Sequence, residues 1–111
     1  MKLKHENYDE ITLISVQGDM TADELQPFTQ FAEQCLDDST RDFVIDIAEM
    51  GFIDSKGLET LIWLQEQAAE QLGQVRLAQP SETVAKILEI TRLEHQFDTH
   101  DTVDDAIKSL R

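Results

Sequence analysis

Strand-like and helix-like segments alternate along almost the whole chain, and this alternation constrains the fold more than any other feature of the sequence. The run Phe43-Val44-Ile45-Asp46-Ile47 is apolar at nearly every position, which is typical of a central strand covered on both faces. Two strand-like segments open the chain, and helical segments separate the later ones. Such crossovers are right-handed and give parallel strands, whereas the opening pair forms an antiparallel hairpin. The sequence therefore predicts an α/β fold, a small mixed, mostly parallel β-sheet of roughly four to five strands with about four helices.

The predicted segment boundaries follow from the hydrophobic period and from turn residues. Strands are expected near residues 3–7, 10–18, 42–47, 74–78 and 97–100. Helices are expected from 22 or 26 to 36, over 56–72, from 81 through 88 and over 102–110. Thr21 is predicted to cap the first helix, Pro27 leaves the start of that helix open, and Gly73 is predicted to cap the second. Because no linker or repeat interrupts the chain, residues 1–111 are predicted to form a single domain.

The chain is strongly acidic, with 9 Lys and Arg residues against 23 Asp and Glu residues and a formal net charge of −14. Such a surface repels nucleic acid and anionic membranes, and it favours a cationic partner or serves solubility alone. No segment reaches the run of about 20 apolar residues that spans a bilayer, and the first residues lack the apolar core of a signal peptide. The single cysteine, Cys35, is expected to be buried, and a reducing cytoplasm is the expected location.

Catalytic, metal and nucleotide sites are not indicated by the sequence. The three histidines lack metal-ligand spacing, and neither a glycine-rich nucleotide loop nor a Walker loop is present. Ser55 lies outside the Gly-x-Ser-x-Gly pattern of hydrolases, and we interpret Asp46 as a hydrogen-bonded structural acid. The chain is therefore interpreted as a binding module without a cofactor. The alternative is a small enzyme in which Ser55, Asp46 or Asp54 acts with a distant histidine.

Four residues of distinct chemistry stand where the central strand gives way to the second helix: Asp54, Ser55, Lys56 and Gly57. Ser55 is predicted to be the N-cap, accepting a hydrogen bond from a free backbone N–H of the first turn. Gly57 allows a close approach of another backbone segment or of an anion. Ordinary capping explains the stretch without any function. The functional interpretation is that this corner accepts a phosphoryl group, whose charge the helix dipole tolerates.

Trp63 is predicted to project from the outer face of the second helix, because it lies roughly 160° from the centre of the apolar face. That apolar face comprises Leu58, Leu61, Ile62, Ala68, Ala69 and Leu72, with Leu64 toward its edge. The outer face also carries Lys56, Glu59, Thr60, Gln67 and Glu70. Since tryptophan is over-represented among interface anchors, we predict a partner or dimer contact there. Chance exposure and burial by a loop are the alternatives.

The order of these motifs resembles that of the STAS domain, the family of the bacterial anti-sigma factor antagonists. The matching segments are Val16-Gln17-Gly18-Asp19, Phe43–Ile47, Phe52–Leu58 with its Asp-Ser-x-Gly-Leu corner, Val75–Ala78 and Asp105-Ala106-Ile107. The resemblance implies a non-enzymatic regulator that binds an anti-sigma factor serine kinase, with a serine phosphatase reversing phosphorylation at the corner. It also implies a binding surface at the corner and the start of the next helix, formed here by Asp54, Ser55, Lys56, Gly57, Glu59 and Trp63.

Lys56 departs from the family pattern, in which the phosphoacceptor is the hydroxyl residue immediately before the glycine. The switch is then absent and binding constitutive, or Ser55 is the acceptor with Lys56 paired to its phosphate. The family also implies a third alternative, a STAS subunit of an ABC lipid-transport ATPase or a scaffold in a stress complex. A monomer or a weak homodimer is expected.

Overall fold

A computed structural model describes residues 1–111 and contains five strands and four α-helices in the predicted order. The strands are β1 (Lys2–Tyr8), β2 (Ile11–Gln17), β3 (Asp42–Glu49), β4 (Val75–Ala78) and β5 (Asp98–His100). The helices are α1 (Gln26–Asp37), α2 (Ser55–Glu70), α3 (Glu82–Ile90) and α4 (Val103–Ser109). None of these helices combines the length and the apolar character that crossing a membrane requires.

The strands form one sheet in the order β1-β2-β3-β4-β5. β1 pairs antiparallel with β2, whereas β2, β3, β4 and β5 pair in parallel. This is the mixed, mostly parallel sheet that the sequence predicts. Because β3 is the middle strand, Phe43, Val44 and Ile45 are fully buried, as expected for an apolar run covered on both faces.

Helices cover the two faces of the sheet unequally. Phe43 and Ile45 contribute to the larger core, which α1, α2 and α3 cover, whereas Val44 contributes to a smaller core beneath α4. Cys35 lies in the larger core and is buried, as predicted. Asp46 is half-buried, and its Oδ1 accepts hydrogen bonds from the Ala48 amide at 3.1 Å and from Gln79 Nε2 at 3.0 Å. Asp46 is thus hydrogen-bonded, as predicted.

The start of the first helix combines both alternatives that Pro27 left open. A 3-10 turn spans Ala22–Glu24, and the α-helix proper begins at Gln26, with Pro27 in its first turn, where a missing N–H costs nothing. The prediction that Thr21 caps this segment is wrong, because its side chain makes no capping hydrogen bond. The carboxylate of Asp54 bonds the Ala22 amide instead, at 3.0 Å.

The end of α2 also differs from its prediction. The regular helix stops at Glu70, and the left-handed residue of the C-cap is Leu72, with φ of 63°, not Gly73. The Leu72 amide bonds the Ala69 carbonyl and the Gly73 amide bonds the Ala68 carbonyl, which is the Schellman arrangement. Gly73 is required for another reason, since a Cβ there would lie 1.7 Å from the carbonyl oxygen of Arg41.

The apolar face of α2 is correspondingly rotated from the predicted one. Leu64 is fully buried and not at the edge, whereas Ala69 is exposed. Leu72 is 89% exposed, because the helix has already ended and the projection at 100° per residue no longer applies to it.

Candidate functional site

The corner, Met50–Gly57, connects β3 to α2 and is held against the segment that leaves β2. Met20 and Ile53 form an isolated parallel bridge, and both are fully buried. The Met20 amide donates to the Phe52 carbonyl at 2.9 Å, and the Asp54 amide donates to the Met20 carbonyl at 3.2 Å. The corner is therefore fixed in place by backbone hydrogen bonds as well as by two buried apolar side chains.

Asp54, not Ser55, is the N-cap of α2, so the predicted cap is wrong by one residue. Its backbone is extended, its Oδ1 accepts from the Gly57 amide at 2.8 Å, and its Oδ2 accepts from the Ala22 amide at 3.0 Å. These bonds, with that from Gly57 first, hold the pKa of the Asp54 carboxyl below its ordinary value. Both Asp and Ser are good N-caps, and the second bond to Ala22 explains why the aspartate takes the position.

Gly57 provides the close approach that its position in the first turn predicts, and the approaching group is backbone. A Cβ at Gly57 would lie 2.4 Å from the Met20 carbonyl oxygen and 2.7 Å from Ile53 Cγ1. No larger residue fits this position without movement of the corner. Asp54 and Gly57 thus shape the corner from the inside, and Gly57 is buried.

Ser55 and Lys56 are the exposed residues of the corner and begin the outer face of α2. Lys56 Nζ lies 3.3 Å from a carboxylate oxygen of Glu59, and about two thirds of each side chain is exposed. An exposed pair of this kind is weak and readily exchanged for other partners. Both side chains are therefore available for contacts with another molecule.

Trp63 lies in a shallow groove of about 310 Å³ between α1 and α2. The groove is lined by Leu25, Thr29, Glu33, Lys56, Glu59, Thr60 and Trp63. The prediction that Trp63 projects into solvent holds only in part, because the side chain is half-buried and packs against the larger core. The helical projection places Trp63 on the outer face of α2, but it could not include α1, which flanks that side of α2.

The residues predicted as a binding surface therefore fall into two groups. Lys56, Glu59 and Trp63 line one groove, and Ser55 lies one residue before it at the exposed start of the helix. Asp54 and Gly57 instead make internal contacts. No hydrogen bond joins Ser55, Asp46 or Asp54 to a histidine, and no group of three or more His, Cys, Asp or Glu side chains is arranged to hold a metal.

An apolar patch that was not predicted from the sequence lies on the other side of the corner. Phe52 is 45% exposed and lines an open depression of about 460 Å³ with Glu82, Thr83, Lys86 and Ile87. Ile90, further along α3, is 71% exposed. The sequence does indicate that Phe52 is exposed, because it precedes the buried Ile53 and adjacent residues of an extended segment point to opposite sides.

Comparison with known proteins gives a family and a set of similar structures. The STAS domain family matches residues 2–106. The Thermotoga maritima protein TM1081 superposes with a TM-score of 0.91 at 17% identity, covering 98% of this chain and 94% of that one. An anti-sigma factor antagonist from Mycobacterium paratuberculosis superposes with a TM-score of 0.87 at 24% identity, covering 99% of this chain and 93% of that one. The Bacillus cell fate determinant SpoIIAA in its phosphorylated form superposes with a TM-score of 0.77 at 17% identity, covering 99% of this chain and 100% of that one.

These structural likenesses concern the fold, because each identity is low. The family match is stronger, since it extends over nearly all of the chain, from β1 into α4, and includes the corner. The chain belongs to the STAS domain family.

Proposed function

We propose that the chain is a regulatory protein-binding module of the anti-sigma factor antagonist type, which binds an anti-sigma factor serine kinase through the corner and the α1–α2 groove. The observation that carries the proposal is the half-buried Trp63 beside Lys56 and Glu59 in an open groove, directly after the exposed Ser55. Aromatic side chains that are partly buried in the free protein and lie next to adaptable charges are typical anchors of protein interfaces. The fold shared with anti-sigma factor antagonists supports the same role.

Within this proposal the six residues predicted to form the binding surface have two kinds of role. Asp54 and Gly57 hold the corner in shape through the Ala22 amide and the Met20 carbonyl, and they reach the partner only indirectly. The remaining residues make the contacts: Ser55, Lys56, Glu59 and Trp63.

The partner surface is expected to combine an apolar side chain with basic groups. The apolar side chain enters the groove against Trp63, and the basic groups face Glu33 and Glu59 on its rim. The net charge of −14 acts in the same direction, because it attracts a cationic surface from a distance and speeds association at low salt.

We further propose that binding is constitutive. A phosphoryl group on Ser55 would lie beside the ionised carboxylate of Asp54, which already accepts the Gly57 and Ala22 amides. It would therefore meet a like charge at the helix N-terminus, where Asp54 already occupies the Gly57 amide. Lys56, in the usual acceptor position, has no hydroxyl to phosphorylate. The alternative, in which Ser55 is the acceptor and Lys56 leaves Glu59 to pair with its phosphate, would restore a switch.

The first test is an affinity pull-down of the tagged protein from its native cells, with the bound proteins identified by mass spectrometry. Recovery of a small serine kinase of the anti-sigma type would support the proposal. Recovery of an ABC ATPase or of a stress-complex scaffold would replace it with the corresponding STAS role.

The second test addresses the switch, with the recovered kinase and labelled ATP. We expect no phosphate on the wild-type chain and phosphorylation of Lys56→Ser, which introduces a hydroxyl in the usual acceptor position. Ser55→Ala in the wild-type and Lys56→Ser backgrounds is the matched control. Labelling of the wild-type chain that Ser55→Ala abolishes would overturn constitutive binding and establish Ser55 as the acceptor.

A further inference from the structure

β1 is an edge strand whose outer side has no partner in the chain. It pairs only with β2, in a register that runs from Lys2 opposite Gln17 to Tyr8 opposite Ile11. None of the backbone hydrogen bonds outside the helices and strands involves a β1 residue. Every second backbone N–H and C=O of this strand is therefore free to pair with another strand.

The charged side chains on β1 include both signs, which distinguishes this strand from an edge that carries lysines alone. Edge strands are commonly protected by charged side chains, lysine above all, and lysines alone repel a second copy of the same strand. β1 instead carries Lys2, Lys4 and Glu6 on the side of the sheet that α4 covers, and all three are exposed. The Glu6 carboxylate accepts a hydrogen bond from the hydroxyl of Tyr8 in the same strand, which orients it. Lys4 takes part in no ion pair within the chain.

We propose that two copies of the chain associate through their β1 strands, antiparallel about a two-fold axis at His5, and so join their sheets. Two-fold symmetry about an axis normal to the sheet requires residues of equal parity to lie opposite each other. Centring on His5 overlaps all seven residues of the strand. The opposed pairs are Lys2 with Tyr8, Leu3 with Asn7, Lys4 with Glu6, and His5 with itself.

Charge complementarity selects this register among the symmetric ones. Centring on His5 creates two ion pairs, Lys4 with Glu6 and Glu6 with Lys4, directly opposite each other, where opposite charges stabilise strand pairing. Centring on Lys4 also opposes Lys2 with Glu6 twice, but it places two lysines opposite each other at the axis. Centring on Glu6 places two glutamates opposite each other. Both of these registers also shorten the overlap. The His5 register provides about six backbone hydrogen bonds between the copies.

The acidic character of the whole chain makes this dimer weak and dependent on salt. Each copy carries a net charge of −14, so the copies repel one another at long range. At physiological ionic strength the screening length is about 8 Å, which suppresses the long-range repulsion more than the close Lys4–Glu6 pairs. The dimer leaves the corner free, because β1 is separated from β3 by β2 and the α1–α2 groove lies on the helix layer.

The test is a charge exchange on β1, read by sedimentation velocity from micromolar to millimolar protein at physiological salt. We expect the wild-type chain to dimerise as its concentration rises. Lys4→Glu and Glu6→Lys alone should each weaken the dimer about tenfold or more, because every opposed pair then carries like charges. The double variant Lys4→Glu/Glu6→Lys keeps the net charge of −14 and should restore the dimer.

Lys86→Glu, on the exposed face of α3, is the matched control, since it changes the net charge as Lys4→Glu does but lies away from β1. It should leave the dimer affinity unchanged. A wild-type chain that stays monomeric at millimolar concentration, a double variant no better than the single ones, or equal weakening by Lys86→Glu would each overturn the proposal. The pull-down of the proposed anti-sigma partner is repeated with Lys4→Glu. Because partner capture and dimerisation are measured separately, failure of one proposal is distinguishable from failure of the other.

Discussion

The carboxylate of Asp54 accepts a hydrogen bond from the amide of Gly57 at 2.8 Å, and this bond sets the first residue of α2. The same carboxylate bonds the Ala22 amide, and Gly57 itself lies against the Met20 carbonyl. Two short contacts thus tie the segment after β2 to the start of α2. The exposed Ser55 and Lys56 thus lie on a corner that several backbone hydrogen bonds hold, which would lower the entropic cost of the proposed binding.

The Asp54 cap predicts a specific pH dependence of stability. Because its pKa is lower in the folded chain than the ordinary value of 3.8, Asp54 contributes its full stabilisation above that value. The contribution should disappear as the pH falls from 3.8 through the folded-state pKa. We expect Asp54→Asn, which retains one acceptor oxygen, to lower the free energy of unfolding at neutral pH and to remove this acid-dependent part.

Urea unfolding of both chains at a series of pH values measures the effect, and the difference between wild type and Asp54→Asn isolates it. The other acidic groups titrate in both chains and cancel in the difference. The difference should be largest at neutral pH and shrink in acid. A difference that is independent of pH would show that the carboxylate charge does not contribute to capping.

Gly57→Ala is expected to destabilise the chain by about 1–3 kcal/mol, because the added Cβ meets backbone and cannot be accommodated by side-chain rotation. The sign of the change in the free energy of unfolding is diagnostic, because alanine stabilises a helix by about 1 kcal/mol relative to glycine wherever space is available for its Cβ. Gly51→Ala is the control, because its Cβ meets only the side chain of Asp19, at 3.1 Å. Thermal or urea unfolding of both variants measures the effect, and equal stability of Gly57→Ala and wild type would contradict a tight corner.

The order of the elements and the two-sided burial of β3 could be predicted from the sequence, because period and composition record them locally. The wrong predictions concern positions where two local structures were equally compatible with the sequence and a contact with a distant segment decided between them. Asp54 and Ser55 are both competent N-caps, and the Ala22 amide favours the aspartate. Trp63 lies on the outer face of α2, but the neighbouring α1 half-buries it, and no property of α2 alone contains that information.

The end of α2 offers a second test of the same kind. Leu72 has a φ of 63° and is 89% exposed, so Leu72→Gly removes left-handed strain without losing buried surface. We expect a gain of about 0.5–1 kcal/mol after the greater entropy of the unfolded glycine chain is deducted. Gly73→Ala should be strongly destabilising, because its Cβ would lie 1.7 Å from the Arg41 carbonyl oxygen. A Leu72→Gly chain less stable than the wild type would contradict the left-handed cap at Leu72, and a Gly73→Ala chain as stable as the wild type would contradict the close approach to Arg41.

Trp63→Ala is expected to weaken binding of the proposed anti-sigma partner by about 2 kcal/mol, roughly thirtyfold in Kd, since it removes the aromatic wall of the α1–α2 groove. Leu72→Ala is the control, because it truncates an exposed apolar residue near the far end of α2 and should leave the Kd unchanged. The fluorescence of the single tryptophan also reports binding directly, because its emission maximum should shift to shorter wavelength as the partner displaces water from the groove. Isothermal titration of both variants and a fluorescence titration of the wild-type chain supply the measurements. An unchanged Kd for Trp63→Ala, together with unchanged emission on binding, would move the interface away from the groove, and the exposed patch around Phe52 would be the next surface to vary.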